Sequence, residues 1–132
     1  MLNPHVTENF HNLHEALNRL EETLSEPADK NRYIIDATIH RFEFCIELFW
    51  KNFKNFAAVE GKEALSPKQA VAIAYQMKWF DAESLWLNML NDRNETPHTY
   101  KKIKADEIYQ HIKNYYPEMR KTYERLKKTY SL

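Results

Sequence analysis

Residues 42–50 read Phe42-Glu43-Phe44-Cys45-Ile46-Glu47-Leu48-Phe49-Trp50, with Phe53 and Phe56 close behind. On a helix at about 100° per residue, these apolar side chains take up almost every angle around the axis. A helix that is apolar all round has to be buried on more than one side. This segment is therefore either the central helix of a bundle or a helix that also meets a second subunit. The charges in and beside it, Arg41, Glu43, Glu47, Lys51 and Lys54, are the exceptions. Glu43, Glu47 and Lys51 recur every fourth residue, and Glu47 ahead of Lys51 has the favourable order for an intrahelical ion pair. They are either solvated charges or functional ones.

On either side of this segment the helical period continues. Upstream, Val6, Phe10, Leu13, Leu17, Leu20 and Leu24 form one stripe, which predicts a helix from about Pro4 to Leu24. Ser25-Glu26-Pro27-Ala28-Asp29 is a short connection, and the central helix is expected from about Asn31 to Val59. Gly61 ends it or lies just past its end. Ser66-Pro67-Lys68-Gln69 is a helix start, with Ser66 as cap, Pro67 in the first position and Gln69 closing a capping box. This third helix is short and continues through Val71, Ala74, Tyr75 and Lys78. Trp79-Phe80 makes an apolar corner, and Asp81 is the expected cap of a fourth helix through Leu85, Trp86, Met89 and Leu90 that ends near Arg93. A long last helix, about Ile103 to Tyr130, carries Ile108, Ile112, Tyr115, Met119, Tyr123, Leu126 and Tyr130 on one line. Pro117 inside it predicts a kink without a break.

Composition agrees with this pattern. The chain has 132 residues and a single glycine, Gly61, which leaves no glycine-rich phosphate loop and no set of tight hairpins. One all-α domain is expected. Nineteen basic and nineteen acidic residues cancel overall. Residues 101–132 nevertheless hold nine Lys/Arg against four Asp/Glu, a local balance of +5. That excess is either a solvated basic face or a nucleic-acid patch. Cys45 is the only cysteine, so no intramolecular disulfide can form. With no charged-then-apolar leader and no apolar run near twenty residues, a cytoplasmic protein without membrane contact is expected.

One polar interruption gathers reactive side chains: Asp92-Arg93-Asn94-Glu95-Thr96-Pro97-His98-Thr99-Tyr100. On one unbroken helix Arg93 and His98 would point about 140° apart. Pro97 forbids the bond back to Arg93 and disfavours helical geometry at Thr96. The expectation is therefore that Arg93 lies in the last turn of the fourth helix. Thr96 would cap the next segment, Pro97 would come first in it, and His98 just inside. Arg93 and His98 would then meet across the corner, and amides of the new helix start would add an anion site. Arg93 suits a phosphate, Asn94 adds a donor, and His98 brings an imidazole, the side chain most used as a general acid or base.

Arg93-x4-His98-x-Tyr100 matches the R-x4-H-x-Y signature of HEPN domains. The surrounding sequence resembles the HEPN family of nucleotidyltransferase substrate-binding proteins. The resemblance is carried by His40–Phe44 and Glu47–Lys51, and by Trp86–Tyr100, where Pro97 stands in place of the family's usual small residue. With the flanking helices it spans essentially the whole chain. It implies an all-α, up-and-down four-helix bundle with an additional short helix, homodimeric, and encoded beside a minimal nucleotidyltransferase.

For the site, the resemblance implies Arg93 and His98 as catalytic residues of a metal-independent endoribonuclease toxin, contributed by two protomers to one cleft. Asn94, Arg41, Glu43 and Glu47 are the substrate-binding candidates for a nucleotide or RNA, and Tyr100 is the adenylylation candidate of a toxin–antitoxin pair. The alternative is a non-catalytic module that presents substrate or binds protein without cleaving RNA. No cofactor or metal is expected. His11 and His14 lack a second ligand pair. A di-iron bundle would need two Glu-x-x-His pairs, and Glu95-x-x-His98 straddles Pro97 where Glu8-x-x-His11 does not.

Overall fold

Asn3 accepts a hydrogen bond from the Val6 amide at 3.0 Å and Pro4 follows, so the first helix starts where a side-chain cap and a helix-compatible φ coincide. The computed structural model describes residues 2–28 and 31–132. Asp29, the last residue of the predicted first connection, lies outside them. Among the described residues there are five α-helices: α1 Pro4–Leu24, α2 Arg32–Val59, α3 Pro67–Gln76, α4 Glu83–Glu95 and α5 Lys102–Thr129. A 3₁₀ turn, Thr96–His98, separates the last two. There is no strand among the described residues, and no helix is long and apolar enough to cross a membrane.

Cross-helix contacts give the directions. Arg41 bonds Arg19 and Glu22, while Asn52 bonds Asn9, so α1 and α2 are antiparallel. Arg93 pairs with Glu43 and Glu47 while Trp86 packs on Phe53, so α4 runs against α2. Asp92 bonds Tyr115 and Asp81 bonds Arg125, so α5 runs against α4. The four longer helices thus alternate in direction, with α3 inserted between α2 and α4.

α2 touches each of the other four α-helices. Phe42, Cys45, Ile46, Phe49, Phe53 and Phe56 are all buried within this one chain. Phe53 alone packs its ring on Phe49, Trp79, Phe80 and Trp86. Of the two readings open for the central segment, burial inside one chain accounts for these side chains, and a second subunit is not needed to cover them. The exceptions in the segment are Phe44, at 53% exposed, and Leu48 and Trp50, which are half-buried. In α1, Val6, Phe10, Leu13, Leu17 and Leu20 are buried as predicted, with Leu24 half-buried. The α5 line from Ile108 to Leu126 is buried too. At roughly 1.5–3 kcal/mol for each fully buried apolar side chain, these faces hold the helices together.

Helix ends show where local signals prevail and where they do not. Ser66 Oγ accepts from the Gln69 amide at 3.1 Å, and Gln69 Oε1 returns to the Leu65 amide at 2.7 Å, so the predicted α3 start stands. Gly61, at φ +74°, closes α2 with the Lys62 amide bonded to Ala57 O at 2.8 Å. α3 ends earlier than predicted, at Gln76, because Lys78 adopts φ +62° and turns the Trp79 amide back to Ala74 O. Asp81 does not cap α4: the position before that helix is Ala82, without a side-chain bond. Arg125 takes both Asp81 oxygens at 3.1 Å, and a bidentate charge-assisted pair outcompetes a capping bond. α5 continues as one helix through Pro117.

Candidate functional site

The polar stretch sits where α4 runs out. Arg93 is in the last turn of α4, as predicted. Beyond Glu95 the chain departs from the expectation. Thr96 stays in right-handed helical space at φ −59°, ψ −29°, and Thr96–His98 forms a 3₁₀ turn. α5 starts only at Lys102, so Pro97 does not open it. The reason lies in the donors. Pro97 has no N–H for the Arg93 carbonyl, and Thr96 supplies two: its own amide and its hydroxyl, at 2.8 Å. With that carbonyl satisfied, the chain tightens from about 3.6 to about 3.0 residues per turn and need not break.

Arg93 faces α2. Its Nη1 lies 3.5 Å from Glu43 Oε2 and its Nε 3.6 Å from Glu47 Oε1. Glu43 and Glu47, four residues apart, present both carboxylates on one face of α2. Glu47 Oε2 also accepts the Trp50 indole N–H at 3.2 Å. The predicted Glu47–Lys51 pair is therefore replaced by a tertiary one, because Arg93 of α4 and the indole take the carboxylate. The guanidinium is only 30% exposed, and its Nε has no hydrogen bond of good geometry. Both carboxylate distances exceed the 2.7–2.9 Å typical of tight charged bonds, so an incoming phosphate can compete for the guanidinium.

His98 and Tyr100 are both open to solvent. His98 is exposed, and its ring stands edge-on to Tyr100 at a centroid distance of 6.4 Å. Tyr100 is 77% exposed, with the Lys101 ammonium 5.9 Å from its ring centre. No hydrogen bond among the described residues joins Arg93 to His98. Thr99 Oγ donates to Thr96 O at 2.7 Å and fixes the turn that displays both rings.

The remaining predicted residues divide. Asn94 is exposed and shares a groove with Arg93 and Glu47. Arg41 lies elsewhere: it reaches α1, donating to Arg19 O and to Glu22 at 3.1 Å. Two residues along a helix is about 160° around it when measured the short way, so Arg41 and Glu43 face opposite flanks of α2.

One constellation is not legible in the sequence. Asp92, next to Arg93, turns to α5, where its Oδ2 accepts from His111 Nδ1 at 2.8 Å and from the Tyr115 hydroxyl at 2.6 Å. Burial, reinforced by Asp92, pushes the Tyr115 phenol well above its ordinary range. The last turn of α4 is thus tied to α5 by one residue and to α2 by the next. His111 and Tyr115 share a helix face by their spacing of four, but nothing in the spacing says that Asp92 lies opposite them.

A family model described as nucleotidyltransferase substrate binding protein-like matches residues 8–128. Among solved structures, a Thermus thermophilus protein is similar at 32% identity and a TM-score of 0.78, over 86% of this chain and 98% of that one. The structure of Haemophilus influenzae HI0074, reported to reveal the fold of a substrate binding domain of a nucleotidyltransferase, is similar at 22% identity and a TM-score of 0.69. That match covers 92% of this chain and 96% of that one. At that identity the likeness concerns the fold. No curated protein matches the chain.

Proposed function

The chain belongs to the family of nucleotidyltransferase substrate-binding-like proteins, and we propose that it is the helical partner of a minimal nucleotidyltransferase, its nucleotide- or substrate-binding subunit, and a HEPN-type toxin with metal-independent endoribonuclease activity. In this reading the four longer helices form an up-and-down four-helix bundle with α3 as the additional short helix. The observation that carries it is the division of the R-x4-H-x-Y stretch. Arg93 is held against α2 by Glu43 and Glu47, while His98 ends the adjoining 3₁₀ turn and Tyr100 follows it, both exposed.

A homodimer completes the site. Two copies related by a twofold axis bring Arg93 of one protomer toward His98 of the other, a pair that no hydrogen bond joins among the described residues of one chain. His98 takes the proton from a ribose 2′-hydroxyl. The 2′-oxygen attacks the adjacent phosphorus, the bond to the 5′-oxygen breaks, and a proton from solvent completes the leaving hydroxyl. A 2′,3′-cyclic phosphate remains. Arg93 stabilises the added negative charge on the five-coordinate phosphorus, and a positioned base contributes typically about 10²–10⁴ in rate. Glu43 and Glu47 orient the Arg93 guanidinium toward the bound phosphate, and Asn94 contacts the adjoining nucleotide; Arg41, on the opposite flank, meets a separate part of the substrate. The exposed Tyr100 hydroxyl is the acceptor for adenylylation by the partner.

Purified protein is expected to cleave RNA in the presence of EDTA, and His98→Ala to abolish cleavage. Cleavage lost on chelation, or a fully active alanine variant, overturns the mechanism. A second reading is favoured by one observation, the pairing of Arg93 with two carboxylates, which neutralises its charge in the free chain. There the protein presents substrate to the nucleotidyltransferase without turnover. It predicts a stable heteromeric complex that binds ligand, and RNA cleavage by the pure protein rules it out.

A further inference from the structure

The guanidinium of Arg93 borders a groove of about 390 Å³ between α2, the first turn of α3 and α4. Its walls differ in kind. Leu87 and Leu90 from α4, with Ile46, give an apolar floor, and Trp50 adds a half-buried indole. The indole N–H is bonded to Glu47 at 3.2 Å, which fixes the ring plane. Around the rim stand Lys68 on α3 and Asn91 and Asn94 on α4, all three exposed.

Three features give the groove a chemical preference. The first is charge. One Glu47 oxygen faces the indole and the other faces Arg93, so the groove's carboxylate is engaged on both oxygens. Lys68 forms no ion pair among the described residues and is available to an anion. The second is the amides. Asparagine is a weaker helix former than alanine. Asn91 and Asn94 nevertheless occupy positions of α4 outside the buried core, where packing does not require them. Paired amide donors and acceptors are suited to the edge of a nucleobase. The third is the aromatic face, since stacking on tryptophan accepts any base. The volume is of the size that encloses a small ligand.

Resting on the nucleotide- and RNA-directed reading above, we propose that this groove is a nucleotide pocket. The base stacks on Trp50 over Leu87 and Leu90, its edge is read by Asn91 and Asn94, and its phosphate lies between Lys68 and Arg93. In an RNA strand that phosphate is the one presented to His98 of the second copy. In a free nucleotide it is the phosphate handled by the nucleotidyltransferase. The shared chemistry is a nucleobase carrying phosphate, and only its source differs.

The test is calorimetric titration of the full chain with AMP, with ATP, and with a 2′-O-methyl five-nucleotide oligoribonucleotide, which cannot be cleaved. Binding of at least one is expected. Lys68→Glu should weaken it tenfold or more, Trp50→Leu should do the same, and Trp50→Phe should restore most of it. Tighter binding of AMP or ATP than of the oligonucleotide assigns the pocket to free nucleotide, and the reverse assigns it to an RNA strand. Lys68 is exposed, so its variant remains decisive even where a Trp50 variant fails to fold. Absence of binding by all three probes, or binding unchanged by Lys68→Glu, overturns the proposal. Lys68-dependent binding without any RNA turnover refutes the nuclease reading and leaves the pocket standing. Turnover without Lys68-dependent binding does the opposite.

Discussion

Thr96→Val removes the hydroxyl that holds the turn after Arg93, together with its long contact from Arg93 Nη1 at 3.5 Å. Valine keeps the β-branched shape, so the packing of a side chain only 5% exposed is preserved and the hydroxyl alone is lost. That hydroxyl donates to the Arg93 carbonyl at 2.8 Å, in the place where Pro97 has no N–H to offer. A net intramolecular hydrogen bond contributes about 0.5–1.5 kcal/mol. The Thr96 amide still reaches the same carbonyl, so nothing is left wholly unpaired and the middle of that range, about 1 kcal/mol, is expected. For a chain of this length that lowers the melting temperature by roughly 3–5 °C.

A second background sharpens the test. Pro97→Ala restores an N–H able to bond the Arg93 carbonyl as in a regular helix, so Thr96→Val should there cost about half as much or less. The measurement is a double-mutant cycle by thermal and denaturant unfolding, followed by far-ultraviolet circular dichroism. A variant as stable as the parent, or an equal loss in both backgrounds, refutes the account of the turn as held by the Thr96 hydroxyl in place of the missing proline donor.

Two further outcomes concern the α3–α4 corner. The Arg125 guanidinium, bonded to both Asp81 oxygens, holds that carboxyl below its ordinary value. A depressed folded-state value gives stability that is present above the unfolded pKa, about 4. The Tm gap between the parent and Asp81→Asn should therefore be full at neutral pH, shrink as pH falls below about 4, and narrow in high salt; a gap that widens in acid contradicts the pairing. Lys78→Gly relieves an L-residue held at φ +62° and should raise stability by about 0.5–1 kcal/mol, read by denaturant midpoint, because left-handed geometry costs lysine more than glycine loses in chain entropy. A loss of stability there would show that the lysine side chain contributes more than its backbone costs.

Much of the molecule was legible before any fold was known. Helix existence followed from apolar spacing, and the α3 start followed from Ser66, Pro67 and Gln69, because a cap is a contact over three residues. Gly61 ended α2 for a similarly local reason. Asp81 and Thr96 escaped because their partners are not the ones local rules favour. Asp81 has the side-chain chemistry of a cap, but Arg125, 44 positions later, holds it. Proline statistics move Thr96 out of helical space, but its own hydroxyl repairs the broken bond.

Spacing and short-range signals suffice for an all-helical chain, a central helix needing cover on several sides, and a reactive stretch with Arg93 in the last turn of α4. Each of these depends on angles about a single helix axis or on neighbours within one turn. What lies opposite each angle is set by how the helices pack. Asp92 meets His111 and Tyr115 on α5, Arg93 meets Glu43 and Glu47 on α2, and Arg41 leaves that group for α1. Periodicity fixes where a side chain points on its own helix, but not which helix packs there. That choice is made by the burial of Phe42, Phe49, Phe53 and Trp86, and the polar pairs follow from it.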